Sequence, residues 1–327
     1  YAGLAKKVLL DEAVTAIRHR GPDDNGVAYF DSGVALGNTR LSIIDLSRNG
    51  HQPMFNRDKS LCITFNGEIY NFQEVKKLLE KKYQFKSNSD TEVILYAYQE
   101  WGARCLDKLN GMFSFVIFDR RKNILFGARD RLGQKPLTYY FRNGKFIFAS
   151  EIKGIFPLLN SKIEMDNVAV DDFLTLQYVP SPRTGFKDIY TLPAAHYFMY
   201  KNNTLHVSRY WSLDFRKKLH IAREEWQELI FQEMKRSVKS HLVSDVPVGA
   251  LLSGGLDSSI VVALMANYSK KRIHTFSIGF DDKRFDETKY ATMVSRMYNT
   301  QHTELRVTPL ELIGNIERLV DIYDEPI

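Results

Sequence analysis

The sequence has few of the features that mark secreted, membrane-spanning or fibrous proteins. Its 327 residues include only two cysteines, Cys62 and Cys105, which cannot build a disulfide framework and suit a reducing compartment. No apolar run reaches the roughly 20 residues that a bilayer span requires, because polar residues interrupt even the most apolar stretch, 246–266. With 19 glycines and 10 prolines, a fibrous or largely disordered chain is also excluded. We therefore expect a cytoplasmic globular protein that does not bind a membrane.

The basic residues do not form the clustered stripe that is typical of nucleic-acid-binding proteins. The net charge is +6, but the lysines and arginines occur as scattered pairs and one triplet, at 216–218. We therefore expect no nucleic-acid partner. The length is about twice that of a usual domain of roughly 100 to 200 residues, which predicts two domains. Neither end resembles the end of a gene product, because the chain starts at Tyr1 and stops just after Asp-Glu-Pro, so we expect a fragment.

The first two thirds of the chain alternate short apolar segments with turns. The run 112–118, MFSFVIF, is rich in aromatic and β-branched residues and predicts a strand covered on both faces. Many strands and few helices predict stacked sheets. Further strands are predicted at 41–44, 61–65, 124–128, 145–149 and 197–200, and helices at 71–82 and at 90–101, where Ser89 is the expected cap.

After Trp211 the pattern changes, which divides the chain into domains at 1–211 and 223–327 joined by a linker at 212–222. The second part alternates helices and strands, as expected of a parallel sheet with a Rossmann-like arrangement. The predicted order is a helix at 223–242, a strand at 248–252, a helix at 257–268, a strand at 273–278, a helix at 287–298, and then a further strand and helix.

The most informative segment is VPVGALLSGGLDSSIVVALMA, in which an apolar strand leads through Ser-Gly-Gly-Leu-Asp-Ser-Ser into an apolar helix. Glycines allow backbone amides to approach phosphate oxygens, and the helix N-terminus adds unpaired N–H groups. The loop lacks the lysine of GxxxxGK[ST] and the spacing of GxGxxG, so neither common nucleotide motif applies. The alternative is a Gly-Ser turn that merely caps a helix. We expect a buried Asp257 in this loop, beside a bound cation.

This loop resembles the pyrophosphate loop of the ATP pyrophosphatase family, and in particular that of asparagine synthetases. The first domain carries segments similar to a class II glutaminase: RHRGPDDNG, RLSIIDL, FNGEIYN, SDTEVIL and ARDRLGQKPL. The resemblance implies an Ntn-type four-layer αββα sandwich followed by an incomplete ATP-pyrophosphatase domain. It also implies glutamine, aspartate and ATP as substrates, Mg²⁺ as a cofactor, and a homodimer.

By the same resemblance, a pocket in the first domain holds glutamine. Arg40 would bind the substrate carboxylate, Asn66 and Gly67 would form the oxyanion hole, and Glu68 and Asp90 would meet the amino group. The residues alone also allow an exposed ion pair for Arg40, a hairpin turn for Asn-Gly, and a helix N-terminal role for Asp90. The implied glutamine-binding residues are Arg40, Leu41, Ser42, Ile43, Ile44, Asn66, Gly67, Glu68 and Asp90.

In the second domain the resemblance implies an ATP site at the Ser-Gly-Gly loop. Leu251 and Ile278 match positions that contact the nucleotide, and we also expect both to be core strand residues. Asp257 matches the magnesium-linked aspartate, which suits a cation that prefers oxygen ligands. The implied ATP-binding residues are Leu251, Ser253, Gly254, Gly255, Leu256, Asp257, Ser258, Ser259 and Ile278.

The chain departs from the family pattern at its start. The family's nucleophile is an N-terminal cysteine, and this chain begins with Tyr1, so the glutaminase reaction cannot be assigned to the chain as given and residues are expected before Tyr1. Cys62 and Cys105 lie in apolar segments, where a small buried hydrophobe is the expected role. Asn38-Thr39 also stands where the family has a histidine before the arginine, and 193–195 replaces a Pro-Pro-Gly turn.

The implied activity is synthesis of asparagine from aspartate. Ammonia released from glutamine would travel to the second domain, where ATP converts aspartate into an acyl-adenylate with release of pyrophosphate. Two alternatives remain open. A paralogue could amidate another carboxylate, such as a cell-wall or polysaccharide precursor, and a catalytically silent protein could sense glutamine or nucleotide.

Overall fold

The computed structural model describes residues 7–159, 162–216 and 218–325. These residues form two compact units: unit 1 contains the described residues up to Asp214 together with 323–325, and unit 2 is Phe215–Ile322. Residues 1–6, 160 and 161 of the predicted first domain, Lys217 of the predicted linker, and 326 and 327 of the predicted second domain lie outside the described residues.

Unit 1 is built mainly from β-strands, as its sequence predicts. Its helices are α1 (Lys7–Ala16), α2 (Phe72–Leu79), α3 (Asp90–Trp101) and α4 (Asn167–Leu176). Its strands are β1 (Asp24–Tyr29), β2 (Ala35–Arg40), β3 (Met54–Phe55), β4 (Leu61–Ile69), β5 (Gly111–Asp119), β6 (Ile124–Arg129), β7 (Thr138–Arg142), β8 (Lys145–Ala149), β9 (Ile189–Thr191), β10 (His196–Lys201) and β11 (Thr204–Arg209).

The strands of unit 1 form two facing layers. One layer is a six-stranded antiparallel sheet in the order β11-β10-β6-β5-β4-β3, and the other contains the β1-β2 pair and the sheet β8-β7-β9. Helix α1 packs outside the second layer, and α2 and α3 pack outside the first. The predicted αββα sandwich is therefore confirmed.

An apolar core fills the space between the two layers. Leu36 from one layer and Cys62, Phe118 and Phe198 from the other belong to one buried cluster. Space in this core is tight, because a Cβ atom at Gly127 would lie 2.3 Å from the ring of Phe198. Aromatic side chains supply much of the buried apolar area that stabilises the sandwich.

The predicted strand at 41–44 is wrong, because β2 ends at Arg40. The guanidinium of Arg40 donates hydrogen bonds to the carbonyl oxygens of Ile44, at 3.0 Å, and Asp45, at 2.6 Å. These bonds turn the chain back toward Arg40, and Asp45 takes a left-handed backbone conformation with φ of 57°. The apolar residues after Arg40 are therefore held in a loop by a side chain of the preceding strand.

The loop that follows β6 is organised around the buried side chain of Asp130. Asp130 is fully buried, and its carboxylate accepts backbone hydrogen bonds from Phe113 at 3.1 Å, Gln134 at 2.9 Å and Lys135 at 3.0 Å. The neighbouring Arg129 donates to three carbonyl oxygens, including that of Lys135 at 2.7 Å. A buried charge is tolerated when it is hydrogen-bonded in this way. The backbone N–H of Lys135 is therefore bonded to Asp130 and its backbone carbonyl to Arg129.

Unit 2 contains the predicted alternation of helices and strands. The strands β12, β13 and β14 pair in parallel in that order, which confirms the predicted parallel sheet. The elements are α5 (Arg223–His241), β12 (Gly249–Leu251), α6 (Leu256–Tyr268), β13 (His274–Phe280), α7 (Thr288–Met297), β14 (Gln301–Val307), α8 (Pro309–Gly314) and α9 (Ile316–Tyr323). Among the described helices of both units, none combines the length and apolar character needed to cross a membrane.

Candidate functional site

Two strands of unit 1 change from apolar to polar side chains along the faces that look into the sandwich. On β2, Leu36 lies in the core and Arg40 ends the strand on the same face. On β4, Cys62 lies in the core and Asn66 and Glu68 follow on its face. Residues two apart on a strand share a face, so both rows point into one polar region of the sandwich. This polar region contains Arg40, Asn66 and Glu68, three of the residues that the sequence predicts to bind glutamine.

Arg40 is buried, with 8% of its surface exposed, so the alternative of an exposed ion pair is wrong. Its two bonds to loop carbonyls both use Nη2. A guanidinium carries three further N–H donors on Nη1 and Nε, in a planar fork that matches a carboxylate. A cation held this way at the end of β2 can bind a ligand carboxylate without reorganising.

Two glycines that sequence reasoning did not single out make room for Arg40. A Cβ atom at Gly50 would lie 2.2 Å from Nη2 of Arg40, and one at Gly21 would lie 2.3 Å from its backbone nitrogen. The backbone of Asp23 also donates to the Arg40 carbonyl at 3.1 Å. The RHRGPDDNG segment, which the sequence analysis identified as similar to a glutaminase, contains both Gly21 and Asp23. In the structure this segment packs against the backbone of Arg40.

The remaining residues of the predicted glutamine-binding loop follow Arg40 directly. Leu41 is 56% exposed, and the backbone of Ser42 donates to the carboxylate of Asp23 at 2.8 Å. Ile43 is partly buried, and Ile44 presents its carbonyl oxygen to Arg40. The segment is thus a fixed loop whose backbone groups lie beside the arginine.

Asn66 and Gly67 lie within β4, so the alternative of a hairpin turn is wrong. The Asn66 side-chain nitrogen Nδ2 is buried and has no hydrogen-bond partner among the described residues. Gly67 has φ of 151°, and a Cβ atom there would lie 2.1 Å from the carbonyl oxygen of Met112. A buried amide donor is costly to leave unpaired, which indicates that a ligand oxygen completes this position.

Asp90 opens α3 with only 4% of its surface exposed. Its Oδ2 accepts a hydrogen bond from the backbone of Ile69 at 2.9 Å, which joins the helix to the end of β4. Burial raises the pKa of Asp90, the hydrogen bond from Ile69 opposes that increase, and nearby Glu68 adds to it, so that the pKa is about 6. Ser89 accepts from the backbone of Thr91 at 3.2 Å, so its predicted capping role is confirmed.

Lys135 and Tyr70, which the sequence did not predict as site residues, lie near Glu68. Burial lowers the pKa of Lys135, Arg20 lowers it further, and Glu68 and Asp130 act in the opposite direction. Burial, together with Glu68 and Asp130, raises the pKa of Tyr70 to about 12. The polar region therefore holds charges of both signs.

Neither cysteine has the character of a nucleophile. Cys62 and Cys105 are fully buried and free, as the sequence predicts. Burial raises the pKa of each thiol to about 12, so almost none is present as the reactive thiolate near neutral pH.

In unit 2 the predicted phosphate loop joins β12 to α6. Ser253 Oγ accepts a hydrogen bond from the backbone of Gly255 at 3.3 Å and lies 3.1 Å from Ser258 Oγ. Ser259 Oγ donates to the Gly255 carbonyl at 2.7 Å. Gly254 has φ of 86°, and a Cβ atom there would lie 2.6 Å from the backbone nitrogen of Ala291. Only glycine fits this turn, because its backbone is left-handed and α7 packs directly against it. The loop leads into the N-terminus of α6, where unpaired backbone N–H groups can bind an anion.

Three burial predictions for this site are wrong. Asp257 is exposed in the first turn of α6. Leu251 and Ile278 are not core residues, with 81% and 57% of their surfaces exposed. They share the free face of the sheet, which no described helix covers. Leu256, at 76%, is also exposed.

The described residues contain no cluster of three or more side chains that would form a metal site by themselves. The loop nevertheless fits Mg²⁺ bound together with a phosphate ligand. Asp257 offers one exposed carboxylate in the first turn of α6, directly after the Ser-Gly-Gly loop. Mg²⁺ is commonly bound by one or two carboxylates plus substrate phosphates and water.

Two family models match consecutive parts of the chain. Residues 2–211 match the glutamine amidotransferase domain, and residues 230–327 match asparagine synthase. A putative glutamine-hydrolysing asparagine synthetase of Methanocaldococcus jannaschii is 38% identical over 95% of this chain and 64% of its own length. Asparagine synthetase 3 of Bacillus subtilis is 34% identical over 98% of this chain and 55% of its own length. The chain thus spans between half and two thirds of these relatives.

The fold is similar to that of solved amidotransferases. The glutamine phosphoribosylpyrophosphate amidotransferase of B. subtilis, complexed with ADP and GMP, matches with a TM-score of 0.50 and 14% identity. That match covers 93% of this chain and 64% of the solved chain. Because the amidotransferase model matches residues 2–211, the chain belongs to the glutamine amidotransferase family, and the amidotransferase domain is followed by a region that matches asparagine synthase.

Proposed function

We propose that the full-length protein is an ATP-dependent, glutamine-hydrolysing asparagine synthetase. The observation that carries the proposal is the buried Nδ2 of Asn66, which has no partner among the described residues and lies in the same polar region of the sandwich as the arginine that ends β2. A donor buried at a cost in stability is expected where a reaction develops negative charge on an oxygen. The closest chemical fit is the carbonyl oxygen of a glutamine side chain.

Glutamine would be held by opposite charges at its amino-acid end. Arg40 would bind the α-carboxylate through its remaining N–H donors, and Glu68 and Asp90 would pair with the α-ammonium group. The loop at 41–44 would line the carboxylate end. Because these groups sit on strand and helix ends fixed by backbone hydrogen bonds, the substrate carbonyl would reach Asn66 in a defined position.

The chemistry at this site would be acyl transfer. As a nucleophile adds to the side-chain carbonyl carbon, the carbonyl oxygen gains charge, and the side chain of Asn66 and the backbone N–H of Gly67 would stabilise it. Loss of the amide nitrogen as ammonia and hydrolysis of the acyl group would give glutamate. The described cysteines do not supply the nucleophile, since both are buried thiols.

The Ser-Gly-Gly loop would bind ATP in unit 2. Its backbone N–H groups and the hydroxyls of Ser253, Ser258 and Ser259 would face the phosphates, and exposed Leu251 and Ile278 would contact the rest of the nucleotide. Asp257 would hold Mg²⁺, which supplies positive charge to the phosphates when it is bound. Aspartate would attack ATP to form an acyl-adenylate and pyrophosphate, and ammonia would then displace AMP to give asparagine.

Aspartate is the proposed acceptor because the similar relatives are asparagine synthetases at 34% and 38% identity. We propose the cytosol as the compartment, because the two cysteines are free and buried. Released ammonia would pass to the second site within the protein.

The first prediction concerns the oxyanion donor. Replacing Asn66→Ala in the full-length protein should lower the rate of glutamate release from glutamine by about 100-fold, because one donor to the developing charge is lost. Asparagine formation with added ammonia should remain, since it does not use this site. The measurement compares both rates with those of Asn110→Ala, an exposed asparagine before β5. Wild-type glutamate release in the Asn66 variant would contradict the proposed role.

The second prediction concerns pH. With the pKa of Asp90 at about 6, protonation on acidification removes the charge that pairs with the substrate ammonium group. The KM for glutamine should rise about tenfold between pH 7 and pH 5, following the neutralised fraction. Asp90→Asn should have a high KM that changes little across this range, and exposed Asp107→Asn should behave as wild type. A wild-type KM that stays constant down to pH 5 would refute the assignment.

The third prediction concerns the phosphate loop. Gly254→Ala should weaken ATP binding by about tenfold or more, because the added Cβ is forced against α7 and the backbone loses its left-handed turn. Gly314→Ala is the matched control, since a Cβ atom there meets no atom within 4 Å. Calorimetric titration with ATP and Mg²⁺ measures both. Equal affinities in the two variants would argue against ATP binding at this loop.

A further inference from the structure

Asn38 occupies the boundary between the apolar core and the polar region of unit 1. It lies on β2 between Leu36, which belongs to the core, and Arg40, and all three side chains share one face. Only 7% of its surface is exposed. Along the inward face of β2, the carboxamide of Asn38 is the first polar group after the apolar core.

Hydrogen bonds fix the orientation of the Asn38 carboxamide. Its Nδ2 donates to Thr64 Oγ1 at 2.9 Å, and the hydroxyl of Thr64 donates in turn to the carbonyl oxygen of Gly37 at 3.2 Å. Because the only proton of that hydroxyl is used, Thr64 must accept from Asn38. A flipped amide would place two acceptors against each other, so Oδ1 points away from Thr64.

The oxygen of this carboxamide has no partner. Oδ1 of Asn38 is buried and lacks a hydrogen bond to any described residue, as does Nδ2 of Asn66. A buried acceptor without a donor costs free energy, so a ligand group with an N–H or O–H is expected beside it. The sandwich thus presents an open acceptor and an open donor on facing strands.

The chemistry of these two groups matches a primary carboxamide. Asn38 is bonded to Thr64, and Asn66 is two residues further along the same face of β4, so the open acceptor and the open donor occupy adjacent positions on facing strands. A primary carboxamide carries one acceptor oxygen and one NH₂ donor group side by side. Its oxygen would accept from Asn66, and its NH₂ group would donate to Asn38.

We infer that Asn38 is a specificity-determining residue that recognises the side-chain NH₂ group of glutamine and rejects the carboxylate of glutamate. The inference rests on the proposed function and deepens it at the same site. A carboxylate has no proton to donate, and its second oxygen would face the Asn38 oxygen, so two acceptors would be buried together. A site that hydrogen-bonds one substrate group discriminates against an analogue that lacks it.

The test compares glutamine with glutamate in the full-length protein. Asn38→Leu should raise the KM for glutamine about fivefold while the inhibition constant of glutamate stays the same or falls, because only glutamine uses the lost acceptor. Asn38→Ala removes the same acceptor with less bulk and should show the same split. Asn110→Leu, the same substitution at the exposed asparagine before β5, is the matched control and should leave both constants within about twofold of wild type.

The wild-type protein gives an independent measurement. The γ-methyl ester of glutamate keeps the carbonyl group but has no N–H, so its KM should be about fivefold above that of glutamine and should not change in Asn38→Leu. Equal KM values for the ester and glutamine in the wild type, or parallel changes for glutamine and glutamate in the variants, would overturn the inference.

The outcomes separate this inference from the proposed function. If the wild-type protein releases no glutamate from glutamine, the proposed function itself fails. If it does release glutamate but Asn38→Leu keeps wild-type discrimination, only the role of Asn38 fails. Asparagine formation with added ammonia reports whether each variant is folded.

Discussion

The hydrogen bond between Asn38 and Thr64 marks where the interior of unit 1 changes from the apolar core to the polar region that we propose binds glutamine. On one side of it, Leu36 and Cys62 pack in an apolar cluster that excludes water. On the other side the same strands present Arg40 and Asn66. A buried polar group is tolerated only when it is paired, so the two groups that remain open, one acceptor and one donor, identify the part of the interior that a ligand completes.

The charged groups of the site are positioned by backbone hydrogen bonds more than by one another. Arg40 is held by loop carbonyls, Asp90 by the amide of Ile69, and Asp130 by an amide of β5 and two amides of its own loop. Each bond fixes a charge and also ends a strand or shapes a loop. The site and the fold around it are therefore stabilised by the same contacts, and a rigid site can bind an amino acid without reorganising.

Sequence patterns predicted the architecture well where hydrophobic periodicity and turn chemistry agreed. The αββα sandwich, the parallel sheet and the Ser89 cap are confirmed by the structure. The strand at 41–44 was wrong because a long-range side-chain bond from Arg40 overrides the β-propensity of Leu-Ser-Ile-Ile. The sequence also did not predict that Asp257 and Leu251 are exposed. Hydrophobic periodicity predicts a strand or a helix, but it does not show which face of that element is covered by neighbouring elements. The sequence marked Asn38 only as a departure from the family pattern, because its unpaired oxygen is visible only in the folded structure.

The central claim is that nitrogen from the glutamine side chain is used by the asparagine synthase region of the same protein. Supplying the full-length protein with glutamine labelled with ¹⁵N at its side-chain amide, together with aspartate, ATP, Mg²⁺ and unlabelled ammonium as competitor, tests it most directly. The account predicts that asparagine forms with ¹⁵N in its side chain, and with AMP and pyrophosphate as products. Glutamate release without labelled asparagine, or asparagine that carries only the unlabelled nitrogen, would contradict it.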